Sequence, residues 1–473
     1  MRTVVGREAE KSFLLNALNS SRSELIAVYG RRRVGKTFLV RNVYKDVIKF
    51  EFSGVDKVPL KQQLYNFHLA LTSKSKGFSI PVNWVEAFHQ LGKYIDSLRT
   101  KKKKVIFIDE FPWLDTRKSN FLPAFDNFWN NYVSKRDDLV VIICGSAASY
   151  MINKIIKSKG GLHNRITEKI SLQPFNLAES ELLLRNNGIR FTRYDILQLY
   201  MAIGGIPFYL EKVLPGESVN QAIDRLCFRK DGFLRTEFYN VFASLFDQAD
   251  THEEIIRKLA SVRKGCTRQE LLSRLKIKTG GTLTKTLQEL EESGFIEKYT
   301  PYQGIKDSLY RLTDEYSLFY IKFIEKSKHS NHDIWAGLSN QASYKIWAGF
   351  CFESVCIKHV DQIKKSLNIF GIQSTHGSWV EKGSDEGVQI DLLIDRADHV
   401  INLCEMKFYK TEFKIDKKYA HEINKKVQVF TSKTKTKKTV FVTFITSYGL
   451  IQNEYKMQCV QNELTLEDLF VRL

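Results

Sequence analysis

Residues 24–40 read ELIAVYGRRRVGKTFLV. ELIAVY is an apolar run of strand length, and FLVRNVYKDV (38–47) carries helical spacing. Between them, Gly30-x-x-x-x-Gly35-Lys36-Thr37 sets two glycines, a lysine and a hydroxyl at the spacing of a phosphate-binding loop. Strand, glycine loop and helix N-terminus together aim backbone N–H groups at an anion. The expected cradle is Gly30, Arg31, Arg32, Arg33, Val34, Gly35, Lys36, Thr37 and Phe38. Lys36 is expected on the β- and γ-phosphates, and Thr37 on Mg²⁺. ATP and Mg²⁺ are therefore the expected ligands. The side chains of Arg31, Arg32 and Arg33 are free to point away while their N–H groups point inward.

Working outward, KVIFIDEF (104–111) is a second apolar strand that ends in two acids. Asp109 is placed to orient the Mg²⁺ shell and Glu110 to polarise an attacking water. LVVIICGSAAS (139–149) is a third such strand, ending at Ser146. Ser146 is either a γ-phosphate sensor or a turn serine. Arg165, in NRITEKISLQPF, is either an arginine finger or a surface arginine. Gly6, Arg7 and Glu8 precede the first helix and are weak candidates for the adenine side. Continuous apolar strands alternating with helices give an α/β core with a parallel sheet over residues 1–175.

The 473-residue length implies two to four domains. A formal charge of +19 suits a polyanionic partner such as DNA, or simply solubility. The 7 scattered cysteines form no CxxC pair and fit a reducing, cytoplasmic setting without zinc. No apolar run is long enough to span a membrane.

Helical periodicity dominates 176–252. Residues 253–322 read helix, turn, helix and β-hairpin, the winged-helix pattern. The second of these helices, TLTKTLQELEES, carries Glu289, Glu291 and Glu292 against Lys285, which suits packing better than phosphate contact. The preceding RKGCTRQELLSRLKIK is basic and suited to tracking a DNA backbone. Residues 323–340 read as a connector, and 341–473 as a further α/β unit.

In that last unit, QIDLLIDRADHVINLCEMKF (389–408) holds Gln389, Asp391, Glu405 and Lys407. Glu405 and Lys407 are two apart on one strand and share a face. A hairpin at DRADH, with Asp395 as a turn residue, brings Asp391 alongside. Asp followed by Glu-x-Lys is the arrangement of PD-(D/E)xK nucleases. Asp391 and Glu405 are the expected Mg²⁺ ligands, with Glu353 completing the acidic cluster and Lys407 acting on water and phosphate. Lys433, Lys435, Lys437 and Lys438 form a basic tract suited to a phosphate backbone or to solvent.

VVGREAE, GRRRVGKT, FIDEFPWL, ICGSAASYM, NRITEKISLQPF and GGIPFYLE resemble the archaeal-type AAA+ ATPases, which also occur in bacteria. These are akin to STAND signalling NTPases and often carry a C-terminal nuclease-like domain of the DUF234 group. The resemblance implies a helical lid over 176–252, followed by the winged helix and a restriction-endonuclease-like domain. It places Ser146 and Arg165 at sensor and arginine positions, and Gly204, Gly205 and Pro207 where lid meets nucleotide. It also implies that arginines are usual in the loop and that Asp391, Glu405 and Lys407 are the nuclease residues. Two functions follow as expectations: an Mg²⁺-dependent ATPase coupled to DNA binding or cleavage, or a nucleotide-dependent switch or scaffold that cleaves nothing.

Overall fold

The run at residue 24 becomes a strand buried along nearly its whole length. Strands β1 (Glu24–Tyr29), β2 (Ile48–Ser53), β3 (Lys104–Asp109), β4 (Leu139–Gly145) and β5 (Glu168–Ser171) pair in parallel in the order β2-β3-β4-β1-β5. Every residue of β3 and β4 is buried, as expected for a sheet covered on both faces. The helices Leu60–Thr72, Trp84–Ser97 and Phe121–Asn131 supply an aromatic layer around Trp84, Phe67, Phe88 and Phe121. Because β4 lies between β1 and β3, the ends of all three strands line up beside the glycine loop.

This computed structural model describes all residues except 1–2, 147, 158–161, 163, 247, 263, 276–279, 303–306, 328–333 and 382–386. It divides into two units, Met1–Pro174 and Phe175–Leu473. The five-stranded sheet belongs to the first. Parts of the expected basic segment before the second helix of the winged-helix pattern, and of the connector, lie outside the described residues.

The second unit opens with helices Leu177–Asn186, Arg193–Ile203 and Val219–Cys227, each started by a capping box. Buried His359 is held low, at about 4, mainly by desolvation, so its neutral Nε2 accepts the Leu177 N–H at 3.1 Å. Gly205 makes a close backbone crossing: its carbonyl accepts the Phe175 N–H at 2.7 Å. A Cβ there would lie 1.8 Å from the Phe175 carbonyl oxygen. Gly205→Ala is therefore expected to destabilise this unit by about 3 kcal/mol. Chemical denaturation checks this; an unchanged midpoint would contradict it.

After the helix Ala249–Ala260 come β6 (Cys266–Thr267), the helices Arg268–Arg274 and Gly280–Glu292, then β7 (Ile296–Tyr299) and β8 (Leu309–Leu312). These strands form a small antiparallel sheet in the order β6-β8-β7. Gly280–Glu292 buries Leu283, Thr286, Leu287 and Leu290, and its Glu289 bonds His252 on the Ala249–Ala260 helix at 2.8 Å.

The last sheet contains β9 (Ser374–Glu381), β10 (Val388–Arg396), β11 (Val400–Lys407), β12 (Thr439–Thr446) and β13 (Asn462–Leu464), in the order β13-β12-β11-β10-β9. β9, β10 and β11 are antiparallel, whereas β11, β12 and β13 are parallel. Asp395 is not a turn residue: it lies within β10, opposite Ile401, and the turn begins after Arg396. All seven cysteines are buried and unpaired. Among the described residues, no helix is long and apolar enough to cross a membrane.

Candidate functional site

The glycine loop takes its shape from backbone conformations that favour glycine. Gly30 has φ 144° and Gly35 φ 93°. A Cβ on Gly30 would lie 2.3 Å from the Leu172 carbonyl oxygen, whereas one on Gly35 would meet nothing within 4 Å. Lys36 folds back across the loop, its Nζ donating to the carbonyls of Gly30 at 2.9 Å and Arg31 at 3.0 Å. Lys36 also begins the helix Lys36–Val43, whose first bond within the segment runs from Leu39 N–H to the Gly35 carbonyl. The N–H groups ahead of Leu39 lack a helical acceptor.

Thr37 Oγ1 donates to Asp109 Oδ2 at 2.7 Å, which joins the loop to the end of β3. Glu110, just beyond, has φ 44°, an unusual conformation for a side-chain-bearing residue. Ser146, at the end of β4, donates through Oγ to Glu110 Oε1 at 2.9 Å. Ser146 thus holds the glutamate in this structure. Burial pushes the Glu110 carboxyl above its ordinary range; Lys36 pulls it down and Asp109 pushes it further up. Burial lowers the Lys36 ammonium, against the opposing charges of Glu110 and Asp109. Lys36, Thr37, Asp109, Glu110 and Ser146 therefore form one connected set, drawn from three separate segments.

The flanking candidates fall differently. Val34 is buried and Phe38 exposed. Arg31 does not reach outward: it is buried, while Arg32 and Arg33 are half-buried. Arg7 is buried and donates to the Gln173 carbonyl beyond β5, which gives it a structural task. Arg165 is exposed, and no described hydrogen bond or ion pair ties it to the connected set.

The C-terminal candidates meet on one sheet face. The β10–β11 register runs up to Leu392 opposite Cys404, the residues next to Asp391 and Glu405. The β9–β10 register shifts between Ile390 and Leu393, a bulge that re-aims Asp391. Gln389 donates its amide to Asp391. Burial pushes the Asp391 carboxyl up; the Gln389 bond and the charges of Lys426 and Lys407 oppose this, while Glu405 adds to it.

Two residues of this cluster escaped the sequence reading. The helix Lys417–Thr434 places Tyr419 and Lys426, seven apart, over the face. Tyr419 donates to Glu405 Oε2 at 2.9 Å, and Lys426 pairs with Oε1 of the same carboxylate. Lys407 Nζ sits 4.9 Å from the centre of the Tyr419 ring. Their spacing in YAHEINKK was the available signal. Glu353 lies half-buried on Ala342–Lys358, and among the described residues no group of three His, Cys, Asp or Glu able to hold a metal occurs. Two of the four lysines in the basic tract are spent on acids: Lys438 on Asp395 at 2.6 Å and Lys433 near Glu381 at 3.7 Å.

Residues 4–213 match the family described as an ATPase domain predominantly from Archaea. An uncharacterized protein of Methanocaldococcus jannaschii is 28% identical over 400 residues, 82% of this chain and 83% of that one. The solved structure of a Walker-type ATPase of Pyrococcus abyssi aligns with a TM-score of 0.50 and 16% identity, covering 67% of this chain and 96% of its own. The Aeropyrum pernix ORC2 protein, solved as ADPNP-ADP complexes, gives a TM-score of 0.43 at 15% identity, over 72% of this chain and 96% of its own. Residues 4–213 are thus similar to an archaeal-type ATPase domain, and the five-stranded parallel sheet is like that of phosphate-loop ATPases.

Proposed function

We propose that this chain is an Mg²⁺-dependent ATPase that acts through its second unit on DNA. The observation that carries the ATPase reading is the 2.7 Å bond between Thr37 and Asp109. It brings a loop hydroxyl and a strand-end carboxylate to one point, the donor set a hard cation takes beside phosphates. The open space over Gly35 leaves room for the phosphates. A magnesium ion held by Thr37 and Asp109 would neutralise phosphate charge. Lys36 would then exchange its carbonyl partners for phosphate oxygens. Glu110 would orient and polarise the attacking water, with Ser146 setting the direction of its carboxylate.

For the second unit we adopt a lid over 176–252, a winged helix over 253–322 and a nuclease-like domain of the DUF234 kind over 341–473. The +19 charge supports DNA as the partner. The bond from Glu289 to His252 supports the winged helix as a packing module rather than a groove reader. The C-terminal side chains do not, as they stand, fit a divalent cation. Both oxygens of Glu405 are engaged by Tyr419 and Lys426, and among the described residues no group of three His, Cys, Asp or Glu able to hold a metal occurs.

That misfit favours a second reading, a nucleotide-dependent switch that binds DNA without cutting it. Plasmid DNA incubated with Mg²⁺ and ATP separates the two. Cleavage requires nicking that falls at least about tenfold in Lys407→Ala. The switch predicts intact plasmid for both proteins.

A further inference from the structure

A cavity of about 360 Å³ in the second unit belongs to neither site described above. It opens where the helix Arg193–Ile203, the helix Ile334–Leu338 and the loops after β11 and β12 converge. Its character follows from its walls. Among the described residues they contain no acid and one cation, Lys410, for which no described residue provides an ion-pair partner. Asn220 and Tyr344 bring the first turns of Val219–Cys227 and Ala342–Lys358 to the rim. Two positive helix ends and a lysine favour an anion, against the Asp195 carboxylate that acts on Tyr194 and Tyr448 from nearby.

The opposite wall is aromatic. Tyr194 is the middle ring of a stack, with Phe408 at 5.2 Å and 2° on one side and Tyr448 at 5.4 Å and 27° on the other. The stack ends at Tyr448, which is 47% exposed. The Tyr194 hydroxyl is shut off from solvent and has no hydrogen-bond partner. Gln198, beside it, donates to the Tyr344 hydroxyl at 3.0 Å and adds amide chemistry to the same wall.

We infer that this cavity is a second nucleotide site, taking a nucleobase that carries a phosphate. The base extends the aromatic stack from Tyr448. The Gln198 amide supplies hydrogen bonds to its edge, and Lys410 takes the phosphate. A mononucleotide and a nucleotide within a single strand share this chemistry. Binding itself depends on neither the ATPase nor the nuclease reading.

The test uses the full chain with Lys36→Ala, so that the glycine loop does not contribute. AMP, GMP, CMP and UMP are titrated calorimetrically, and a fluorescein-labelled 12-mer of thymidylate by anisotropy. The inference predicts saturable binding, one site per chain, weakened at least about tenfold by Lys410→Ala and by Tyr448→Ala. Binding of a mononucleotide identifies a free ligand; binding of the 12-mer alone identifies a strand. Two results overturn the inference: no saturation by any probe up to about 1 mM, or saturation that both substitutions leave unchanged. Both substituted residues are largely exposed, and thermal melts confirm that each variant is folded.

Discussion

Glu110→Gln is expected to lower ATP turnover by about 10² to 10³-fold while leaving ATP binding within about twofold. The amide keeps the size of the carboxylate and can still accept from Ser146. It loses the charge that polarises water. Phosphate release and equilibrium ATP binding, measured on the same protein, check the two halves. Equal losses in both would show that Glu110 holds nucleotide rather than acting on water.

The same substitution has a second consequence in the nucleotide-free protein. Burial raises Glu110 above its ordinary range, so it binds a proton more tightly folded than unfolded. Its contribution to stability is full below the ordinary carboxylate value of about 4.3. That contribution is lost as pH rises from there through the raised value. Glutamine does not titrate. The variant should therefore melt above the unaltered chain near neutral pH, and this advantage should shrink near about pH 4. An advantage that does not change with pH would contradict the buried-carboxylate account.

Lys36→Ala should reduce both ATP binding and turnover at least about a hundredfold. Two losses combine. The ammonium no longer meets the phosphates, and the carbonyls of Gly30 and Arg31 lose the donor that closes the loop. Lys36→Arg keeps the charge but cannot compact into the same space, so it should rescue little. A thermal melt guards against a folding defect. Retained ATP binding in a folded Lys36→Ala protein would remove the loop from the account.

The sequence made the core legible where burial was complete. β1, β3 and β4 are near-continuous apolar runs, and their ends carry the residues of the connected set. The edge strands were harder. IKFEFS in β2 alternates charged with aromatic residues, and β5 is only EKIS, so neither stands out as a buried run. The same holds for β13, three residues long, and for β6, two. Spacing suggested Asp391, Glu405 and Lys407 as neighbours, and the charges of Glu405 and Lys407 act on Asp391. It did not show what sits above them, because Tyr419 and Lys426 arrive on a helix whose packing no local pattern encodes. An aspartate near a hairpin suggests a turn, but Asp395 pairs with Ile401 within β10 and its side chain meets Lys438.

The most direct measurement of the central claim is phosphate release from ATP by the full chain, with Mg²⁺ and then with excess chelator. The glycine loop with Thr37, Asp109 and Glu110 predicts many phosphates released per chain with Mg²⁺, and none above background after chelation. Release that continues at the same rate without divalent cation, or is equal in Lys36→Ala, would contradict it.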